Sequence, residues 1–151
     1  MVDRSRALTA LAAAAGVVAI GYGAISASTG EADIRTPVGV ERFVPHPGDL
    51  MLRQAQVGID LANGYRGELE IDGQSIPTYD LAPNDCSPNT QSYQGHDAVY
   101  DPGQNTLYFT PSPGSTIERF APGDHRIVAK FWRLCEDKNT AATATWAFRV
   151  S

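Results

Sequence analysis

The closing segment of the chain limits its fold most tightly. From Ala142 to Val150 every second residue is apolar, as Ala142, Ala144, Trp146, Phe148 and Val150, while Thr143, Thr145, Ala147 and Arg149 fill the positions between. A period of two is that of a strand buried on one side; a helix repeats its faces about every 3.6 residues. The preceding run, "HRIVAKFWRLC", alternates in the same way. Ile127, Ala129, Phe131 and Cys135 lie on one face, and Arg126, Val128, Lys130, Trp132 and Leu134 on the other. The polar stretch "EDKNT", residues 136–140, is a hairpin loop between them, so the two runs are predicted to be adjacent antiparallel strands with Ile127, Phe131, Trp146 and Phe148 in the core.

Upstream, proline and glycine recur about every ten residues, a cadence of short strands and turns. "VGVERFV" reads as a first strand that ends at "PHPGD". In "MLRQAQVGIDLA" the odd positions Met51, Ala55, Val57, Ile59 and Leu61 form an apolar face, interrupted mainly by Arg53, so residues 51–62 read as one strand. Asn63-Gly64 follows, a pair favoured in type I′ hairpin turns. Next, "GELEIDG" places Leu69 and Ile71 inward and ends on Asp72-Gly73; its strand is expected to pair with residues 51–62. Residues 77–97 are polar and aperiodic, a long loop of the kind that is functional or tied down. "AVYD" and "TLYFTP" supply two more strands, and "STIERFAPGD" a short strand or a single helical turn.

These turns and runs resemble bacterial immunoglobulin-like domains. The resemblance rests on "GELEIDG", "LYFTP", "FAPGDHRIVAKFW" and the terminal "WAFRV", covers residues 51–151, and implies no catalytic or ligand signature. The fold class it supports is all-β, an immunoglobulin-like antiparallel β-sandwich of about seven strands. Antibody-type domains carry a disulfide between two core strands with a tryptophan between the cysteines; Cys86 and Cys135 do not fit that pattern, and a loop staple is expected instead.

The first residues follow different rules. "ALTALAAAAGVVAIGYGAISA", Ala7 to Ala27, carries no charge and no proline. As a helix rising about 1.5 Å per residue it is roughly 30 Å long, the thickness of a bilayer core. Arg4 and Arg6 precede it, which by the positive-inside rule leaves the N-terminus in the cytoplasm. The expected organisation is a cytoplasmic N-terminus (1–6), a transmembrane helix or uncleaved signal anchor (7–27), a juxtamembrane linker (28–36) and an extracytoplasmic β-sandwich (37–151). Cleavage near Ala24 or Ser26 is the competing reading and makes the domain secreted. Ala15, Ala19 and Gly23 line one helix face with small side chains, a groove that a second helix could enter.

Two cysteines in an oxidising compartment read as one disulfide, Cys86–Cys135. The net charge of −5, without runs of like charge, excludes a nucleic-acid footprint. No nucleophile elbow, HExxH or SxxK motif occurs, so no catalytic residue and no cofactor is assigned. His46, His96 and His125 are the only histidines. All three read as solvated turn residues, because none has a ligand partner at metal-site spacing. The apolar outer face of the penultimate strand, Val128, Trp132 and Leu134, is instead a candidate contact surface. The function expected is therefore non-catalytic: an accessory or interaction subunit docking on another membrane or envelope protein. The alternative is a periplasmic module binding a metal or small ligand through His46, His96 and His125.

Overall fold

The computed structural model describes residues 36–82, 86 and 97–151. The expected transmembrane helix with Ala15, Ala19 and Gly23, the linker up to residue 35, and His96 lie outside the described residues. Thr36–Ser151 is one compact unit. Among the described residues no helix is long and apolar enough to cross a membrane.

Among the described residues ten strands form two five-stranded sheets. They are β1 (Val40–Val44), β2 (Leu50–Met51), β3 (Val57–Leu61), β4 (Tyr65–Ile71), β5 (Gln74–Ile76), β6 (Thr78–Asp80), β7 (Ala98–Asp101), β8 (Thr106–Phe109), β9 (Gly123–Arg133) and β10 (Ala142–Val150). One sheet has the order β1-β3-β8-β7-β6 and the other β2-β10-β9-β4-β5. Neighbours are antiparallel except β2 with β10 and β6 with β7, which run parallel. The count exceeds the seven expected because the 51–62 run yields two strands, β5 follows the Asp72-Gly73 turn, and β6 lies inside the polar 77–97 stretch.

The predicted closing hairpin is present over its full length. Ala142 pairs with Phe131, Trp146 with Ile127 and Val150 with Gly123. The inward residues of β9 and β10, together with Val57, Ile59, Leu61, Leu69, Ile71, Leu107 and Phe109, make up the core between the sheets. Rings pack tightly there, with Phe43 4.8 Å from Trp146 and Phe120 5.2 Å from Phe148 between centroids. Phe120 belongs to neither a strand nor a helix: the 115–122 stretch is irregular, held by Phe120 N–H donating to the Arg53 carbonyl at 2.8 Å.

Two pairing expectations are corrected. Residues 51–62 do not form one strand. A turn at Arg53-Gln54, closed by Ala55 N–H donating to the Leu52 carbonyl, carries the chain from one sheet into the other. Strands β3 and β4 do not pair either, because the chain changes sheets again at Asn63-Gly64. A type I′ turn needs positive φ at both central residues. Only Gly64 has it, at 82°, whereas Asn63 does not. Asp72 and Gly73, at 53° and 82°, do meet the requirement and join β4 to β5 as a tight hairpin.

Candidate docking surface

The outer face of β9 was the contact surface expected from the sequence, and the structure covers its main residue. Trp132 faces outward opposite Arg66 yet is only 7% exposed. The Arg66 guanidinium lies 5.4 Å from the indole centroid on β4, and Lys138 Nζ 5.7 Å away on the hairpin loop. Both cations are anchored: Arg66 pairs with Asp80 at 3.2 Å, and Lys138 pairs with Glu68. The long aliphatic stems of arginine and lysine can cover apolar surface while their charged heads stay wet. Val128 and Leu134 are half-buried, with Glu70 and Thr145 beside Val128 in the sheet. Trp132 is therefore closed by the domain's own side chains and is not an open contact.

The same end carries the disulfide. Cys135 lies two residues beyond β9 and is bonded to Cys86, with their Cα atoms 4.9 Å apart. This agrees with the expected staple of the 77–97 stretch onto a strand end.

At the opposite end, His125 is not the solvated turn residue that its neighbours in sequence indicate. It is the first inward residue of β9, 9% exposed, stacked 5.4 Å from Phe148 and 5.0 Å from Phe120. Its Nε2 meets the Ala121 carbonyl at 2.7 Å and its Nδ1 the Asp72 carboxylate at 2.6 Å. Carbonyls and carboxylates only accept, so the imidazolium, with a hydrogen on each ring nitrogen, is the form that satisfies both contacts. Asp72 is held in place in turn, accepting from Arg126 N–H at 2.9 Å and donating its own N–H to the Arg126 carbonyl at 2.9 Å. With both nitrogens engaged, His125 has no lone pair for a metal. His46 is exposed, and among the described residues no group of three or more His, Cys, Asp or Glu could hold a metal ion.

This arrangement has a pH signature. Burial pulls the His125 pKa down, but the hydrogen bonds to Ala121 and Asp72 and the charges of Asp72 and Asp124 outweigh it, leaving the pKa above 6.5. A histidine with a raised folded-state pKa contributes stability that is complete below the unfolded pKa and is lost as pH rises through the folded one. The melting temperature of the wild-type chain should therefore fall more steeply as pH rises above about 6.5 than that of Asp72→Asn, in which the ion pair is absent. Parallel profiles for the two proteins would show that the pair does not stabilise the fold.

The third feature is an apolar edge that the sequence did not reveal, because residues 51–62 read as one uninterrupted strand. Leu50, the first residue of the two-residue strand β2, and Leu52, just after it, are 66% and 76% exposed at the rim of the sheet. Beside it lies a groove of about 590 Å³ lined by Leu50, Leu52, Arg53, Gln54, Ala55 and Arg119. Arg53 Nε donates to the Phe120 carbonyl at 3.0 Å, which fixes the groove's wall. Met51, half-buried, also lines the groove and packs against the core. The sole hint in the sequence was the break in alternation at Arg53.

No family model matches the chain, and no curated protein sequence matches it. Among solved structures it is similar to CopC from Methylosinus trichosporium OB3b, at 9% identity and a TM-score of 0.45, over 75% of this chain and 92% of that chain.

Proposed function

We propose that the protein is a non-catalytic, membrane-anchored module whose immunoglobulin-like β-sandwich stands outside the cytoplasm and docks on another membrane or envelope protein. The observation that carries the reading is the open apolar edge at β2, where two leucines remain in water beside a groove although the core is otherwise closed. Monomeric proteins keep contiguous apolar patches small, and an exposed one beside a groove is typical of an interaction site. The disulfide supports an oxidising compartment. The uncharged stretch 7–27 behind Arg4 and Arg6 supports a single anchor with the N-terminus inside. Strand order supports the immunoglobulin-like type: β1, β3, β8 and β7 follow the order A-B-E-D, and β10, β9, β4 and β5 the order G-F-C-C′.

Extraction of the full chain from its native membrane in mild detergent tests the reading. The expected result is stoichiometric co-purification of one membrane or envelope protein. Recovery of a lone monomer under conditions that keep the anchor intact overturns it.

A further inference from the structure

Strand β2 is paired on one side only. Arg149 N–H donates to the Asp49 carbonyl at 2.9 Å and Ser151 N–H to the Met51 carbonyl at 3.3 Å, so Asp49 and Met51 direct their carbonyls at β10. In a parallel ladder the backbone groups of the intervening residue point away from the paired strand. The Leu50 N–H and C=O and the Leu52 N–H therefore face the open edge, while the Leu52 carbonyl is closed by Ala55 N–H. An extended chain laid along this edge finds donors and an acceptor for its backbone, and Leu50 and Leu52 for its apolar side chains.

Charge selects what that chain can be. Arg53 and Arg119 line the groove and no acid does. Neither arginine forms a salt bridge among the described residues. The nearest acids in sequence lie outside the groove's lining, where Asp49 accepts His46 N–H at 3.0 Å and Glu118 accepts Gly114 N–H at 3.0 Å. On the sheet side, Asp124 is neutralised by Arg149 at 2.7 Å. A chain of net charge −5 thus presents two arginines in the groove beside the exposed leucines of the β2 edge. The rival occupant is a second copy, whose two-fold pairing along β2 would show as a concentration-dependent dimer. Charges beside an exposed strand edge commonly block self-association, and the same charges attract an oppositely charged strand.

We infer that β2 receives an extended, acidic segment of the docking partner, added to the sheet as a further strand. This deepens the docking reading and rests on it. Strand addition takes its affinity from main-chain hydrogen bonds and its specificity from alternate side chains, here apolar residues on the leucines and a carboxylate on the arginines.

The test uses the full chain in detergent micelles and fluorescently labelled short peptides of alternating valine and threonine. One ends in two aspartates, a second in two lysines, and a third is the aspartate peptide with a central proline. Saturable binding of the aspartate peptide is expected, with the lysine and proline peptides at least about tenfold weaker. Leu50→Asp should abolish binding, and Arg119→Glu should invert the preference between aspartate and lysine. Both positions are exposed, so an unchanged melting temperature verifies the fold of each variant. Equal binding of the two charged peptides, or none, overturns the inference. So does a concentration-dependent dimer in sedimentation that Leu50→Asp dissolves, because the occupant is then a second copy. Co-purification separates the two readings. A partner retained by Leu50→Asp refutes the edge and leaves docking standing, whereas peptide binding by a chain that brings no partner from the membrane refutes docking and leaves the edge.

Discussion

Replacing Gly58 with alanine is expected to lower the melting temperature of the β-sandwich by about 15 °C, from a loss of about 4 kcal/mol at about 4 °C per kcal/mol. Gly58 sits in the middle of β3, opposite Tyr108 of β8 and beside Val44 of β1. Its φ is ordinary, so the requirement for glycine is one of space. A Cβ there would press on the Leu107 carbonyl oxygen and the Tyr108 ring, with the Tyr108 Cα at 2.8 Å. Two of these obstacles are backbone atoms of the neighbouring strand, which cannot swing aside as a side-chain tip can. The ring of Tyr108 lies over the missing side chain, its hydroxyl donates to Asp60, and Arg42 closes the group by donating to Asp60 at 2.7 Å. An added methyl group therefore separates β3 from β8 and dismantles this surface triad. Thermal unfolding of Gly58→Ala and of Gly58→Ala with Tyr108→Ala checks the argument. The double variant should recover little, because the carbonyl obstacle remains. A shift of less than about 3 °C in the single variant would show that the strands part without cost.

Gly58 also illustrates what periodicity can and cannot disclose. Alternation correctly placed Val57, Ile59 and Leu61 inward, since burial of one sheet face imposes a period of two on any strand. It could not disclose that the chain changes sheets between Met51 and Val57, because Ala55, Val57 and Met51 share a parity whether the run is continuous or broken. That hid the edge at Leu50 and Leu52. The Asn63-Gly64 pair misled for a local reason: a turn between sheets and a turn between neighbouring strands both use a glycine at positive φ, and only the conformation of Asn63 separates them. Trp132 shows the limit at the surface. Its parity is outward as expected, but its exposure is set by the tips of Arg66 and Lys138, and long flexible side chains leave no periodic trace. His125 was legible in part. It shares the odd parity of Ile127, Ala129 and Phe131, so its inward position followed from the same rule that found the core, and the turn beside it drew attention away. Its acceptors, Asp72 and the Ala121 carbonyl, come from a hairpin and an irregular segment whose meeting is a tertiary event.

Removing the disulfide should bring the second large loss. Cys86 and Cys135 are 49 residues apart, and closing a loop of that size restricts the unfolded chain by about 4 kcal/mol in the entropy model. Domains of this size are stable by about 5–15 kcal/mol in all, so Cys86→Ser with Cys135→Ser should unfold at a midpoint about 15 °C below the wild type. The backbone makes a further distinction possible. Cys135 has φ of 70°, the left-handed region, where any residue with a Cβ is held at a cost of about 1–2 kcal/mol and glycine is not. Cys86→Ser with Cys135→Gly should therefore be more stable than the double-serine protein by about 1 kcal/mol, although neither has the bridge. Calorimetry on the wild type, its reduced form and the two variants measures both quantities. Equal midpoints for wild type and double-serine protein would mean that the bridge constrains nothing the fold does not already hold. The expected loss also links stability to compartment. Made in a reducing cytoplasm, the chain forfeits a sizeable share of its stability; made where thiols are oxidised, it retains that share. The bridge thereby accords with the extracytoplasmic location proposed above.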